Sequence, residues 1–302
     1  MAELHFITPD KRRSQLRIAL QRKACLRVLE THSPLSALIA ERACLRIADS
    51  DAELAYDAFW SSSLTDSTER GKPDIEVLDI PNRLANINDI FEVTSMPLIM
   101  DGDTGGKPDH FAFNIRSLER VGVSAVIIED KTGLKKNSLF GIDVHQEQED
   151  VSAFCEKIRL GKAAQMTDDF MIIARVESLI LNAGMEDALN RSDAYVGAGA
   201  DAIMIHSRSQ SPNEIMEFAR LFRSRHAGIP LICVPTSYAA TYFYSLEAAG
   251  FNMVIYANHM LRSSYLAMDR VANDILRFGR TQEVETHCLS IKDILDLIPG
   301  TR

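Results

Sequence analysis

VSAVIIEDKTGLKKNSLFG, Val123–Gly141, decides the fold. It begins as an unbroken apolar run, reaches two acids and a lysine, and passes into a short loop with one glycine, two more lysines and Asn-Ser. A run that is apolar at nearly every position suits a strand covered on both faces, as in a parallel sheet. Seven other stretches share this character: ACLRVLE (24–30), YDAFWSS (56–62), MPLIMDGD (96–103), FMIIARVES (170–178), ADAIMIHS (200–207), IPLICVPT (229–236) and FNMVIYAN (251–258). Helical patterns lie between them. In SPNEIMEFARLFRSRH (211–226), Ser211 is placed to cap, Pro212 fits the first turn, and Ile215, Phe218, Ala219 and Phe222 form one stripe. HFAFNIRSLERVG and MEDALNRSDAYVGAG end at glycines, as helices often do. Eight strand-then-helix units predict a (β/α)8 barrel. The competing architecture is a doubly wound open sheet, but no GxGxxG follows the first strand.

The 302 residues are read as one barrel domain with a helical extension over 1–23 and surplus helix from about 260 to 302. HMLRSSYLAMDRVANDILRFG and SIKDILDLIPG exceed what a closed barrel needs. They are expected either on a neighbouring subunit or across the barrel bottom. Hydrophobic residues at 46% supply a core, and charged residues at 25% are ordinary. A net charge of −9 gives nucleic-acid binding no support. No apolar run reaches the roughly 20 residues that span a bilayer, and the first residues lack a signal-peptide core. The five cysteines are scattered, without a CxxC pair, so a cytoplasmic protein with reduced thiols is expected.

In such a barrel the chemistry sits where strands end. Read there, the runs give Thr31 and His32; Trp60 and Ser61–Ser63; Asp101 and Asp103; Glu129, Asp130 and Lys131; Arg175 and Glu177; His206 and Ser207; Thr236; Asn258 and His259. Any one of these alone reads equally well as a solvated strand end. Residues two apart share a strand face, so Asp101 pairs with Asp103, Glu129 with Lys131, and Arg175 with Glu177. If those faces meet in the mouth, Asp101, Asp103 and Glu129 converge and require a cation. Oxygen ligands without clustered His or Cys favour Mg²⁺, which keeps most of its waters. Asp101 is then the direct ligand, with Asp103 and Glu129 holding metal-bound waters; the alternative is that DGDTGG is a polar turn. Lys131, Lys135, Lys136, Arg175 and His206 at the same mouth imply a small substrate with several negative charges, such as a carboxylate and a phosphate. The TGLKKN loop either closes over that anion or is an exposed basic loop.

EDKTGLKKNS resembles the signature of the phosphoenolpyruvate mutase family, within the isocitrate lyase superfamily. The resemblance runs from about Ala24 to Asn258 and includes THSPLSALIAERA, FWSSSL, DGDTGG, ARVES, MIHSRS and YANHMLRSS. It implies isomerisation of phosphoenolpyruvate to phosphonopyruvate with Mg²⁺, the first step of phosphonate biosynthesis. By the same resemblance Trp60, Ser62, Ser63 and Leu64 line the substrate pocket, Lys131 and Ser138 of the signature contact substrate, and Arg175 and His206 hold its anionic groups. Lys135 and Asn137 belong to a mobile loop, and Asp74 lies close to the reacting groups. The resemblance also implies a last helix swapped between subunits of a homodimer or homotetramer. A phosphonopyruvate hydrolase is the nearest alternative. A 2-methylisocitrate-lyase-like carbon–carbon lyase ranks lower, because Asn137 stands where such lyases carry a catalytic cysteine. A non-catalytic anion-binding barrel ranks last. The chain departs from the family pattern at Ser61, Ser63, Gly102, Gly106-Lys107 and a longer 44–60 segment.

Overall fold

In a computed structural model, which describes residues 6–47, 53–298 and 300, the eight apolar runs close into one parallel barrel. Its strands are β1 Leu26–Glu30, β2 Ala58–Ser61, β3 Leu98–Asp101, β4 Ala125–Glu129, β5 Met171–Val176, β6 Ala202–Ile205, β7 Leu231–Cys233 and β8 Met253–Tyr256. Each pairs with its neighbours in sequence, and β1 pairs with β8 to close the ring. Two short hairpins lie outside the ring. Cys44–Arg46 with Glu53–Ala55 occupies the longer 44–60 segment, and Lys131–Thr132 with Glu147–Gln148 flanks the signature loop.

Alternation along the strands sorts the side chains into two cores. Leu26, Val28, Ala58, Trp60, Ile99, Ala125, Ile127, Met171, Ile173, Ala202, Met204, Ile232, Val234, Met253 and Ile255 pack together inside the ring. The intervening residues, such as Met100, Val126, Ile172 and Ile203, pack outward with the helices. Both faces of every strand are therefore dry, which explains the near-continuous apolar runs.

The helices are α1 Pro9–Arg22, α2 Pro34–Arg42, α3 Ser63–Glu69, α4 Ile80–Val93, α5 Pro108–Val121, α6 Val151–Ala164, α7 Met185–Gly197, α8 Asn213–Arg225, α9 Phe243–Ala248, α10 His259–Phe278 and α11 Ile291–Leu297. In α8 the predicted stripe Ile215, Phe218, Ala219 and Phe222 is fully buried. Its start differs from expectation: Pro212 occupies the N-cap, and the Ser211 hydroxyl accepts the Asn213 N–H at 3.3 Å. Gly122 ends α5 at φ 102°, and a Cβ there would meet Pro9 Cα at 2.8 Å, so glycine is required on both counts.

The helix across the barrel bottom is the N-terminal one. Leu16 of α1 joins the inner core, and buried Arg12 donates to the carbonyls of Phe91, Thr94 and Met96 just before β3. The C-terminal helix α10 has no buried residue, and it exposes Tyr265, Leu266, Met268 and Leu276. Among the described residues no helix is long and apolar enough to cross a membrane.

Candidate active site

The inward parity of each strand continues past its last apolar residue into the C-terminal mouth. Ile99 leads to Asp101, Ile127 to Glu129, Ile173 to Arg175, Met204 to His206, and Val234 to Thr236. The parallel register sets Glu129 directly beside Arg175. A cavity of about 60 Å³ opens there, walled by Trp60, Ser62, Ser63, Leu64, Asp74, Asp101, Lys135, Asn137, Ser138, Arg175 and His206. Met204, Val234, Thr236, Ala257, Asn258 and Leu139 complete the wall. Eleven of the fourteen residues expected at the site thus surround one space. Asp103, Glu129 and Lys131 stand one contact behind it.

Asp101 is the hub of the acidic side. Its Oδ2 accepts the Ser63 hydroxyl at 2.9 Å, and its Oδ1 accepts the Asp103 N–H at 3.0 Å. Burial works to raise its pKa, but the charges of Lys135, Arg175 and Arg83 prevail and hold it down at about 2. Asp103, beside that anion, is pushed up by burial and by Asp101's charge against the pull of Lys135. Glu129 is likewise raised by burial, although Arg175 and Lys131 each stand 3.2 Å away. Neither Glu129 oxygen has a hydrogen-bond partner. Among the described residues no three His, Cys, Asp or Glu converge as joint metal ligands. The set still fits a hydrated cation: one fully ionised carboxylate can bind it directly, and the Glu129 oxygens, ion-paired but not hydrogen-bonded, can accept from metal-bound water.

The basic side is a set of interlocked cations. Lys135 Nζ donates to the Ser63 hydroxyl at 2.5 Å, to Asp74 Oδ1 at 2.9 Å and to Asp103. Burial opposes its charge, yet the surrounding acids raise its pKa. Asn137 Nδ2 donates to the other Asp74 oxygen at 3.0 Å. The loop at 131–141 is therefore shut by one carboxylate gripping two of its side chains. Arg175 donates through Nε to Glu177 at 2.6 Å and through Nη2 to the Ser138 hydroxyl at 2.5 Å. Its Nη2 also lies 2.9 Å from His206 Nδ1, which in turn lies 3.2 Å from Glu177 Oε1, so this ring nitrogen sits between a donor and an acceptor. Burial and the Arg175 charge lower the His206 pKa, leaving the ring neutral at pH 7.

Lys131, expected to contact substrate, stands behind the cavity wall rather than in it. Its ammonium is buried and holds the Lys136 carbonyl at 2.9 Å, the Ser138 hydroxyl at 2.9 Å and Gln146 at 3.0 Å. It anchors the loop from beneath. The neighbouring acids in EDK point opposite ways, as alternation requires. Glu129 faces the mouth, while Asp130 faces outward to Tyr195 at 2.7 Å. Ser63 carries a hydroxyl that bridges Asp101 and Lys135.

Two charged residues behind the site had no role in the sequence reading. Arg83 of α4 is fully buried and donates to the Asp101 carbonyl, to Ser61 O at 3.0 Å and to Asp66 Oδ2 at 3.0 Å, with Asp103 at 3.5 Å. Asp66 also accepts the Ser61 hydroxyl at 2.6 Å. Both sit on helices in polar surroundings, where sequence alone reads them as solvent-facing. Thr236 and Asn258 were legible as strand-end residues only.

A family model, Phosphoenolpyruvate phosphomutase, matches residues 16–276. The solved phosphoenolpyruvate phosphomutase from Streptomyces platensis subsp. rosaceus superposes with a TM-score of 0.86 at 37% identity, covering 94% of this chain and 93% of that one. The phosphonopyruvate hydrolase of Variovorax sp. (strain Pal2) is 35% identical over 284 residues, 93% of this chain and 93% of its own length. A phosphonopyruvate hydrolase solved with oxalate and Mg²⁺ superposes with a TM-score of 0.83 at 33% identity, covering 95% and 94%. With the family model spanning most of the barrel, the chain belongs to the phosphoenolpyruvate phosphomutase family.

Proposed function

We propose that this chain interconverts phosphoenolpyruvate and phosphonopyruvate, moving phosphorus from the enol oxygen to the methylene carbon of one small molecule. The observation that carries this reading is the closed, polyanion-matched cavity in which Asp74 clasps Lys135 and Asn137. The O–P bond breaks with its electron pair left on the enolate, and the enolate's CH2 carbon then forms a bond to the same phosphorus. Phosphoryl transfer passes through a loose transition state, so the protein's task is positioning and charge stabilisation. In this reading Lys135 and Asn137 exchange part of their contacts with Asp74 and Asp103 for the phosphoryl oxygens. Arg175 and His206 hold the carboxylate end. Water inside the closed cavity would take the phosphoryl group and leave pyruvate, so the shut loop selects the product as well as the rate.

The donor set fits Mg²⁺, held by Asp101 directly and by Asp103 and Glu129 through water. When bound, the ion supplies positive charge that steadies the enolate and its carboxylate. Oxalate with Mg²⁺ in the hydrolase relative supports this, since oxalate presents two adjacent oxygens as pyruvate enolate does.

Phosphorus NMR starting from phosphonopyruvate tests the reading. Phosphoenolpyruvate is the expected product. Inorganic phosphate with pyruvate would make the chain a hydrolase, the activity of a relative of equal similarity. The exposed apolar face of α10 further supports a homodimer or homotetramer in which a second copy covers that helix.

A further inference from the structure

Among the described residues, three that are not glycine have left-handed backbone: Glu76 (φ 63°), Asp103 (φ 54°) and Asn182 (φ 58°). Two of them meet at Thr104. Asp103 immediately precedes it, and Glu76 reaches it from the segment between α3 and α4. Glu76 Oε1 accepts both the Thr104 N–H at 2.9 Å and the Thr104 hydroxyl at 2.6 Å. Thr104 is itself fixed, because its carbonyl accepts Lys157 Nζ at 2.8 Å and its hydroxyl accepts the Gly106 N–H at 3.2 Å. A left-handed conformation in a residue with a side chain persists only where surrounding contacts over-determine it, and such residues gather at functional sites. Here the side chain supplies the contacts. A glycine at 76 would adopt this backbone more easily but could not reach Thr104.

Glu76 does not line the cavity. It stands two residues after Asp74, and Asp74 is the centre of a tight turn closed by the Ile75 N–H bonded to the Pro73 carbonyl at 3.0 Å. Asp74 therefore cannot move far while Glu76 holds Thr104. Asp74 is the group that receives Lys135 and Asn137 from the facing loop.

We propose that Glu76 is the positioning residue of the lid: its clamp on Thr104 fixes Asp74 where Lys135 and Asn137 meet it when the 131–141 loop shuts. The chain's closed state thus depends on a strained residue outside the cavity. The kinetic side of this inference rests on the phosphoryl-transfer reading; the structural side does not.

Three variants and two readouts test it. Glu76→Gly relieves the strain and removes the clamp, Glu76→Ala removes the clamp and keeps the strain, and Glu76→Gln keeps the accepting oxygen. The Leu139 and Phe140 amides, bonded to Asn137 Oδ1 at 3.0 Å and Asn137 O at 3.1 Å, report loop closure by hydrogen exchange. Both should exchange at least about tenfold faster in Glu76→Gly and Glu76→Ala, with the strand amides of β4 and β5 unchanged. Turnover should fall about tenfold or more in both, with KM shifting less than about threefold, because lid closure governs turnover more than encounter. Glu76→Gly should melt no lower than Glu76→Ala, and both should be fully folded at the assay temperature by circular dichroism, so lost activity is not lost folding. Glu76→Gln should recover most of both readouts. Wild-type exchange at Leu139 and Phe140 in Glu76→Gly overturns the proposal, as does Glu76→Gln behaving like Glu76→Gly. If the parent chain converts neither phosphonopyruvate nor phosphoenolpyruvate, the functional reading fails and the exchange arm still decides this one.

Discussion

Replacing Arg83 with methionine keeps an unbranched apolar stem and removes the guanidinium with its charge. The structure sets the size of the effect. Arg83 is fully buried and neutralises Asp66 at 3.0 Å and Asp103 at 3.5 Å, while also tying the ends of β2 and β3 through Ser61 and the Asp101 carbonyl. Removing one partner of a buried ion pair strands the other charge, at a cost of roughly 3–5 kcal/mol, against about 0–1 for an exposed pair. With a urea slope near 3 kcal/mol/M, the unfolding midpoint at pH 7 should drop by about 1–2 M. The pH dependence follows from the same carboxyls. Burial already raises Asp66 above its ordinary 3.8, with Arg83 the main opposing influence, so the variant raises it further. An acid whose folded pKa lies above its unfolded value holds its proton in the native state alone between those two values, so stability falls as pH rises through that window. The penalty in the variant should therefore shrink as pH is lowered from 7 toward 4. Urea titrations of both proteins at pH 5 and pH 7 measure this. A penalty below about 1 kcal/mol at pH 7, or one that grows at pH 5, refutes the reasoning.

Asp101→Ala should abolish turnover and weaken Mn²⁺ binding, read by electron paramagnetic resonance, without unfolding the barrel; retained metal-dependent turnover removes Asp101 from the metal site. Asn137→Ala should cut turnover by about tenfold or more with little change in melting temperature, since Asn137 bonds only Asp74 and its own loop. Leu266→Asp with Leu276→Asp places two charges on the bare face of α10, where the native side chains are 69% and 83% exposed, and should shift sedimentation toward monomer. An unchanged sedimentation profile in that double variant would show that the face is not an interface.

Strand positions were legible because every strand is dry on both faces, and an apolar run bounded by acids marks where the barrel opens. Parity then carried Asp101, Glu129, Arg175 and His206 into the mouth, since alternation along a strand survives folding unchanged. What parity cannot supply is depth. Lys131 shares a face with Glu129, yet its long stem folds back under the loop to Ser138 and Gln146. Arg83 was invisible for a different reason: its partners Ser61, Asp66 and Asp103 lie 17–22 residues away along the chain, so no local pattern announces them. The surplus at the C-terminus pointed to α10, but the helix beneath the barrel turned out to be α1, whose Leu16 completes a core that its own composition does not advertise.

That plug has a kinetic consequence. Because Leu16 and the inner strand residues fill the barrel from below, the cavity lies at the C-terminal mouth, beneath the 131–141 segment. A ligand bound at that mouth leaves past the same segment, so on the proposed function reactant and product compete for one space. On that reading each turnover requires the segment to swing open and shut again, which would limit throughput however fast the bond exchange becomes.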